Sequence, residues 1–243
     1  MARFFLNRND MADDRILLTG EQAAHAKVLR LKAGEVVTVC DGTEEECVCS
    51  VDNVADRTYE LKVLERRQIS TEPLVKASIY MAFPKGDKLE HVIQKATELG
   101  AAEIVVFPSA RCVSRPDDKS VAKKLDRWNR IAAAAAEQSG RGVIPEVIAL
   151  KSYREALNRA METDLAILFY ENEQCTTLQS ALNEKTFRSI ALMTGPEGGL
   201  DEQEVNLASQ YGLCVCTLGR RILRCETAPL CALSAVMYHT GEF

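Results

Sequence analysis

Two stretches near the C-terminal end of the 243-residue sequence carry residue types suited to chemistry. The first is Thr194-Gly195-Pro196-Glu197-Gly198-Gly199. Its glycines let the backbone approach a ligand closely and adopt positive φ. The spacing is not the Gly-x-Gly-x-x-Gly of dinucleotide folds, and no Gly-Lys-Ser/Thr follows as in a P-loop. The second is Leu218-Gly219-Arg220-Arg221-Ile222-Leu223-Arg224-Cys225-Glu226-Thr227-Ala228. Aliphatic residues in such a loop suit packing on something flat, such as an adenine ring. The interleaved arginines suit RNA phosphate or negative charge that develops during a reaction. Each stretch alone also has a plain reading, the first as a tight turn, the second as a basic loop whose aliphatics fold back on the core.

Other chemistries find little support. Histidine is limited to His25, His91 and His239, so imidazole metal cages and Ser-His-Asp catalysis are not expected. The nine cysteines form no Cys-x-x-Cys pair, so no metal site is expected. Cys47 with Cys49, and Cys214 with Cys216, have strand spacing in apolar surroundings and read as small core hydrophobes. Free thiols in this number fit a reducing compartment. No apolar run reaches the ~20 residues of a membrane helix, and the N-terminus lacks a signal peptide's apolar stretch, so a cytoplasmic location is expected. The net charge of −5 argues against a nucleic-acid partner. A basic stretch from Arg111 to Arg141, including Arg115, offsets it, either by gripping phosphates or as a solvated helix face with ion pairs.

The elements that must position these loops follow from patterning. The first ~70 residues read as short strands. Thr19 and Gln22 have capping-box spacing ahead of a short helix. A hairpin is expected from Glu35–Cys40 and Glu46–Val51 around the turn pair Asp41-Gly42, then a strand over Thr58–Leu64. A compact barrel would close them, and Ser70–Pro73 reads as the linker. From Leu74 strands and helices alternate, the pattern of a mainly parallel sheet covered on both faces. Strands are expected over Ala77–Phe83, Glu103–Phe107, Leu165–Phe169, Ile190–Met193 and Leu213–Leu218. Helices are expected over Lys88–Leu99, about Ser120–Gln138, after the caps Ser152 and Asp201, and over Leu230–His239. The chain is thus an α/β protein with two domains, residues 1–72 and 73–243. Both chemical loops directly follow a predicted strand, where open α/β sheets bind ligands.

In this order, Gly-Pro-Glu-Gly-Gly and Leu-Gly-x-Arg-Ile-Leu-Arg-x-Glu-Thr-Ala resemble the bacterial 16S ribosomal RNA uridine N3-methyltransferase family of the SPOUT superfamily. The resemblance extends over essentially the whole chain. Phe4-Phe5, His25 to Leu31 and Cys40 to Gly42 are similar to that family's PUA-like domain. Lys85-Gly86-Asp87-Lys88, Lys95 to Gly100, Ser114-Arg115 and Ala136 to Ser139 are similar to its catalytic domain. The family commonly has proline where this chain has Arg220 and threonine where it has Cys225; losing proline frees φ in that loop.

What the resemblance implies is a small N-terminal PUA-like β-barrel and a SPOUT-type C-terminal domain with a deep trefoil knot, a rare exception to un-knotted topology. It implies S-adenosyl-L-methionine as cofactor, 16S ribosomal RNA or the small ribosomal subunit as partner, and a homodimer. Carried onto this sequence, the cofactor pocket uses Phe169, Tyr170, Met193, Thr194, Gly195, Pro196, Glu197, Gly198 and Gly199. It also uses Leu218, Gly219, Ile222, Leu223, Arg224, Thr227 and Ala228. RNA contacts are expected from Arg3, Lys27 and Arg30 in the barrel and from Arg115 and Arg141 in the basic stretch.

The chemistry sets two further roles. Uracil carries a proton on N3 with a pKa about two units above neutral, so ionising it costs ~3 kcal/mol at 1.36 kcal/mol per unit. A guanidinium near the carbonyls would stabilise the imide anion, and a carboxylate could take the proton. Arg224 and Glu226 are the candidates, although both equally suit structural roles, Glu226 by bonding backbone N–H groups at the start of the last helix. Two rivals stay open: an assembly factor that keeps the fold without turnover, and a small-molecule α/β enzyme or nucleotide binder suggested by the acidic composition.

Overall fold

The computed structural model describes residues 1–113 and 118–243, without the side chain of Asp118; Ser114 and Arg115 lie outside the described residues. The chain divides into two compact units, Met1–Glu72 with Ala136–Ile144, and Pro73–Ala135 with Pro145–Phe243.

The first unit contains β1 (Ala2–Phe5), β2 (Arg15–Leu18), α1 (Gly20–Val28), β3 (Val36–Cys40), β4 (Glu45–Ala55) and β5 (Thr58–Gln68). They form a five-stranded sheet in the order β1-β3-β4-β5-β2. β1 runs parallel to β3, and the other pairs are antiparallel. The expected barrel is therefore an open, mixed sheet among the described residues, with β1 and β2 as its edges. Register shifts at Val48/Cys49 and Val51/Asn53 bend the β4–β5 pair, as bulges do. Phe4, Ile16, Leu18, Val37, Val39 and Leu61 fill the core. Cys47 and Cys49 join them, both fully buried on one face, as their spacing predicts. The hairpin loop contains the expected turn pair Asp41-Gly42. It spans positions 41–44, and the Asp41 carboxylate accepts the backbone N–H groups of Thr43, Glu44 and Glu45 at 2.8–3.0 Å. Thr19 is the N-cap of α1 but makes no side-chain cap bond, so its capping box does not form.

Two expected RNA contacts are corrected within this unit. Arg3 is only 9% exposed, and its Nη1 lies 2.7 Å from Glu46 Oε2. Arg67 Nε donates to the other Glu46 oxygen at 2.7 Å. On the face of β1 opposite the core residue Phe4, Arg3 meets an internal partner rather than phosphate. Arg141 is 5% exposed, with Nε 3.1 Å from Glu72 Oε2. Glu72 also accepts the backbone N–H groups of Gly142 and Val143. Breaking such a buried pair leaves a charge uncompensated, so both arginines hold structure. Lys27 and Arg30, at the end of α1, are exposed.

The second unit contains β6 (Lys76–Ala82), α2 (Lys88–Glu98), β7 (Glu103–Phe107), α3 (Asp118–Ser139), β8 (Glu146–Ala149) and α4 (Tyr153–Ala160). It continues with β9 (Leu165–Phe169), α5 (Leu178–Glu184), β10 (Ser189–Thr194), α6 (Glu202–Tyr211), β11 (Cys214–Cys216) and α7 (Thr227–Thr240); the last residues of α3 fall in the first unit. Its six strands form a sheet in the order β11-β9-β10-β6-β7-β8, with every pair parallel. Nearly every residue of β6, β7, β9 and β10 is buried, which requires cover on both faces. α2, α5 and α7 pack together, and α4 packs on α6. The predicted caps of two helices form: Ser152 accepts from Glu155 N, and Asp201 and Glu204 make a full capping box. α5 and β8 have no counterpart in the sequence reading. β11 is shorter than expected, and α7 begins three residues earlier.

Candidate functional site

β9, β10 and β11 lie side by side and parallel, so their carboxyl ends open at one place. Both chemical loops leave from there. Together they line a cavity of about 450 Å³, at the position where open α/β sheets bind ligands. All the residues assigned to the pocket by resemblance line it except Met193 and Thr227. Met193 is fully buried within β10. Thr227 opens α7 and donates its backbone N–H to Arg224 O at 2.8 Å.

The glycine loop is held by tight backbone contacts. Gly199 has φ +67° and donates to Pro196 O at 2.9 Å. A Cβ on Gly195 would stand 3.0 Å from the backbone of Gly199 and Leu200, tighter than nine in ten real Cβ contacts. A Cβ on Gly199 would run into the carboxylate of Glu171. Arg111 supports the loop from outside, donating to Gly198 O at 3.0 Å. Glu197 faces the N-terminus of α2. Burial alone would raise its pKa, but the Lys85 N–H at 2.9 Å and Lys88 Nζ at 3.0 Å outweigh that and hold it at about 2.

Lys88 also reaches the second loop. Its Nζ lies 3.5 Å from Glu226 Oε2 and 3.7 Å from Cys225 Sγ. The bond to Glu197, then the charges around it, raise the Lys88 pKa. Glu226 is held below the ordinary carboxylate range, first by its own backbone N–H, with Cys225 and Lys88 adding to it. Cys225 Sγ donates to Glu226 at 3.2 Å, and burial pushes that thiol up to about 12. One ammonium thus ties two carboxylates from two loops.

The rest of the second loop is open. Gly219 takes φ +103°, and Ile222 is 86% exposed rather than folded back on the core. Arg220, Arg221 and Arg224 are exposed and make no ion pair among the described residues. Lys88, Glu171, Thr217, Arg220, Arg221 and Cys225 also line the cavity, yet sequence reading did not assign them to it. Lys88 lies in the Lys85–Lys88 match, and four of the others, Thr217, Arg220, Arg221 and Cys225, lie within or beside the quoted loops. Glu171 follows a strand-end pair already assigned, so extending that strand end by one residue would have found it. Of the basic stretch, Arg127 pairs with Glu90 at 2.6 Å, while Lys123, Lys124 and Arg130 are exposed. Among the described residues no group of His, Cys, Asp and Glu stands close enough to hold a metal ion, and no helix is long and apolar enough to cross a membrane.

Comparison with known proteins gives a consistent result. Residues 70–237 match the RNA methyltransferase domain family, and residues 18–64 match the RNA methyltransferase PUA domain family. A relative from Bacillus subtilis, named ribosomal RNA small subunit methyltransferase E, is 38% identical over 92% of this chain and 90% of its own length. A crystal structure of a protein of that name from Neisseria gonorrhoeae, bound to S-adenosyl methionine, superposes with a TM-score of 0.87 at 32% identity, covering 98% of each chain. A putative methyltransferase from Legionella pneumophila, also in complex with that cofactor, gives a TM-score of 0.86 at 28% identity over 98% of this chain and 97% of its own.

Proposed function

Since this chain belongs to the RNA methyltransferase family whose curated members are named ribosomal RNA small subunit methyltransferase E, we propose that it transfers the methyl group of S-adenosylmethionine to N3 of a uridine in 16S ribosomal RNA. The observation that carries this reading is the single cavity lined by both loops, with apolar, acidic and basic walls. Its features fit the cofactor. The glycine loop offers backbone where no side chain has room, and Leu218 and Leu223 offer an apolar wall for adenine. S-adenosylmethionine, when bound, supplies an electrophilic methyl group.

The chain's own residues then have to hold the base and favour loss of its N3 proton. Arg224, exposed on the cavity wall without an ion-pair partner among the described residues, suits stabilisation of the uracil imide anion. Glu226 suits the proton-accepting role less well than its sequence position implied. Its carboxylate faces Lys88 and Cys225 and is held at low pKa, which makes it a weak base. We assign it to anchoring the loop, and the N3 proton to hydroxide or water. Exposed Lys27 and Arg30 suit phosphate contact from a PUA-like first unit. Arg115 lies outside the described residues and is proposed as a further contact from its place in the basic stretch of the sequence alone.

Two features of the second unit extend this reading. α7 is apolar on most of its surface, with Cys231 and Tyr238 exposed, which supports a homodimer built through it. α7 follows the edge strand β11 yet returns to pack on α2, β6 and β10, a crossing compatible with a trefoil knot. The function is tested by mass spectrometry of ribosomal RNA from cells lacking the protein. The N3-methyluridine should disappear and return with the wild-type gene but not with Arg224→Ala.

A further inference from the structure

Two carboxylates line the cavity, Glu171 and Glu197, with Glu226 behind them on Lys88, and they are not equivalent. Glu197 and Glu226 share the Lys88 ammonium, at 3.0 and 3.5 Å. Glu171, just past the end of β9, lines the same cavity with no hydrogen bond or ion pair among the described residues. Its carboxylate lies against the Cα of Gly199, where a Cβ would strike it. The glycine therefore leaves room for this acid at the loop's surface. The other loop contributes Arg220, Arg221 and Arg224, likewise without ion-pair partners among the described residues. The cavity thus offers one uncompensated anion on the β9 side and uncompensated cations on the other loop.

Resting on the cofactor reading above, we propose that Glu171 determines recognition of the amino-acid end of the cofactor by accepting its α-ammonium, while the arginine loop faces the α-carboxylate. A carboxylate gains most from a cationic donor, because charge-assisted hydrogen bonds are about twice as strong as neutral ones. Two other partners are less suitable. Ribose hydroxyls are neutral, and backbone groups of the glycine loop can satisfy them. The sulfonium loses its charge as the methyl group leaves, so an unpaired carboxylate beside it would stabilise the ground state more than the transition state and slow the reaction.

The test is a chemical cycle on the full-length protein, read by calorimetry. The ligands are S-adenosylmethionine, S-adenosylhomocysteine and the analogue of the latter that lacks the amino group. Wild type should bind the deamino analogue about tenfold more weakly than S-adenosylhomocysteine. Glu171→Gln should weaken S-adenosylmethionine and S-adenosylhomocysteine by similar factors of about ten and leave the deamino analogue unchanged. Unchanged binding of that analogue also shows that the variant cavity is intact. Equal weakening of all three ligands would reassign Glu171 to the ribose. Weakening of S-adenosylmethionine alone would reassign it to the sulfonium. No change in any ligand would remove it from the site. Each of those results overturns the proposal, whereas failure of wild type to bind S-adenosylmethionine at all would instead overturn the cofactor reading.

Discussion

At the scale of single residues, the glycine loop and Arg224 make opposite demands. Gly195→Ala puts a Cβ against backbone, 3.0 Å from the Gly199 carbonyl carbon and Leu200 nitrogen, so the glycine loop must shift by a few tenths of an ångström. Cofactor affinity measured by calorimetry should fall at least tenfold while the far-ultraviolet circular dichroism stays native. Gly199→Val should act likewise, because a β-branched residue at φ +67° costs about 1–3 kcal/mol of strain. Unchanged affinity in either folded variant would count against this pocket. Arg224→Ala should slow methyl transfer at saturating RNA and change RNA affinity much less. Raising the pH should partly restore the rate, since hydroxide then supplies the N3 anion. Loss of cofactor binding with no recovery at high pH would make Arg224 a wall residue only. Sequence spacing showed these residues because each loop is local; it could not show Lys88 between Glu197 and Glu226, which are brought to it from more than 100 positions away.

At the scale of elements, segments with a strong apolar pattern were legible and short ones without it were not. Glu103–Phe107 and Leu165–Phe169 are strands with the expected bounds, because continuous apolar runs flanked by polar residues suit a sheet buried on both faces. β8 and α5 escaped notice for want of length: four and seven residues give too few periods to distinguish from loop. Thr19 illustrates a different limit, since cap spacing does not guarantee the side-chain rotamer that makes the bond. The tie between α2 and both loops yields two predictions. Lys88→Met should lower the melting temperature and weaken cofactor binding, and Lys88→Arg should recover most of both; equal losses in the two variants would show that charge is not what matters. Glu197 is depressed to about 2 from an ordinary 4.5, so its pair contributes fully above pH 4.5 and is lost as the pH falls toward 2. The stability gap between wild type and Glu197→Gln, on the order of 1 kcal/mol for a partly exposed pair, should be flat from pH 7 to 5 and shrink below that. A gap that persists unchanged at pH 2.5 would refute the assignment.

At the scale of the whole molecule, net charge pointed away from the RNA methyltransferase family to which the chain belongs. The internal pairs Arg3–Glu46 and Arg141–Glu72 leave the balance of −5 unchanged, because each removes one charge of either sign. Those same two arginines looked like phosphate contacts because sequence gives charge but not burial. Arg141→Ala should accordingly destabilise the protein by about 3–5 kcal/mol and leave the salt dependence of RNA binding unaltered in any folded fraction. A slope reduced by about one unit without loss of stability would restore its role on RNA. One measurement addresses the methyl transfer directly. Purified protein is incubated with methyl-labelled S-adenosylmethionine and small ribosomal subunits from cells lacking it, and the 16S RNA is then digested and resolved by mass spectrometry. The account predicts label in N3-methyluridine at a single position; label in any other nucleoside, or none with an active cofactor-bound protein, would contradict it.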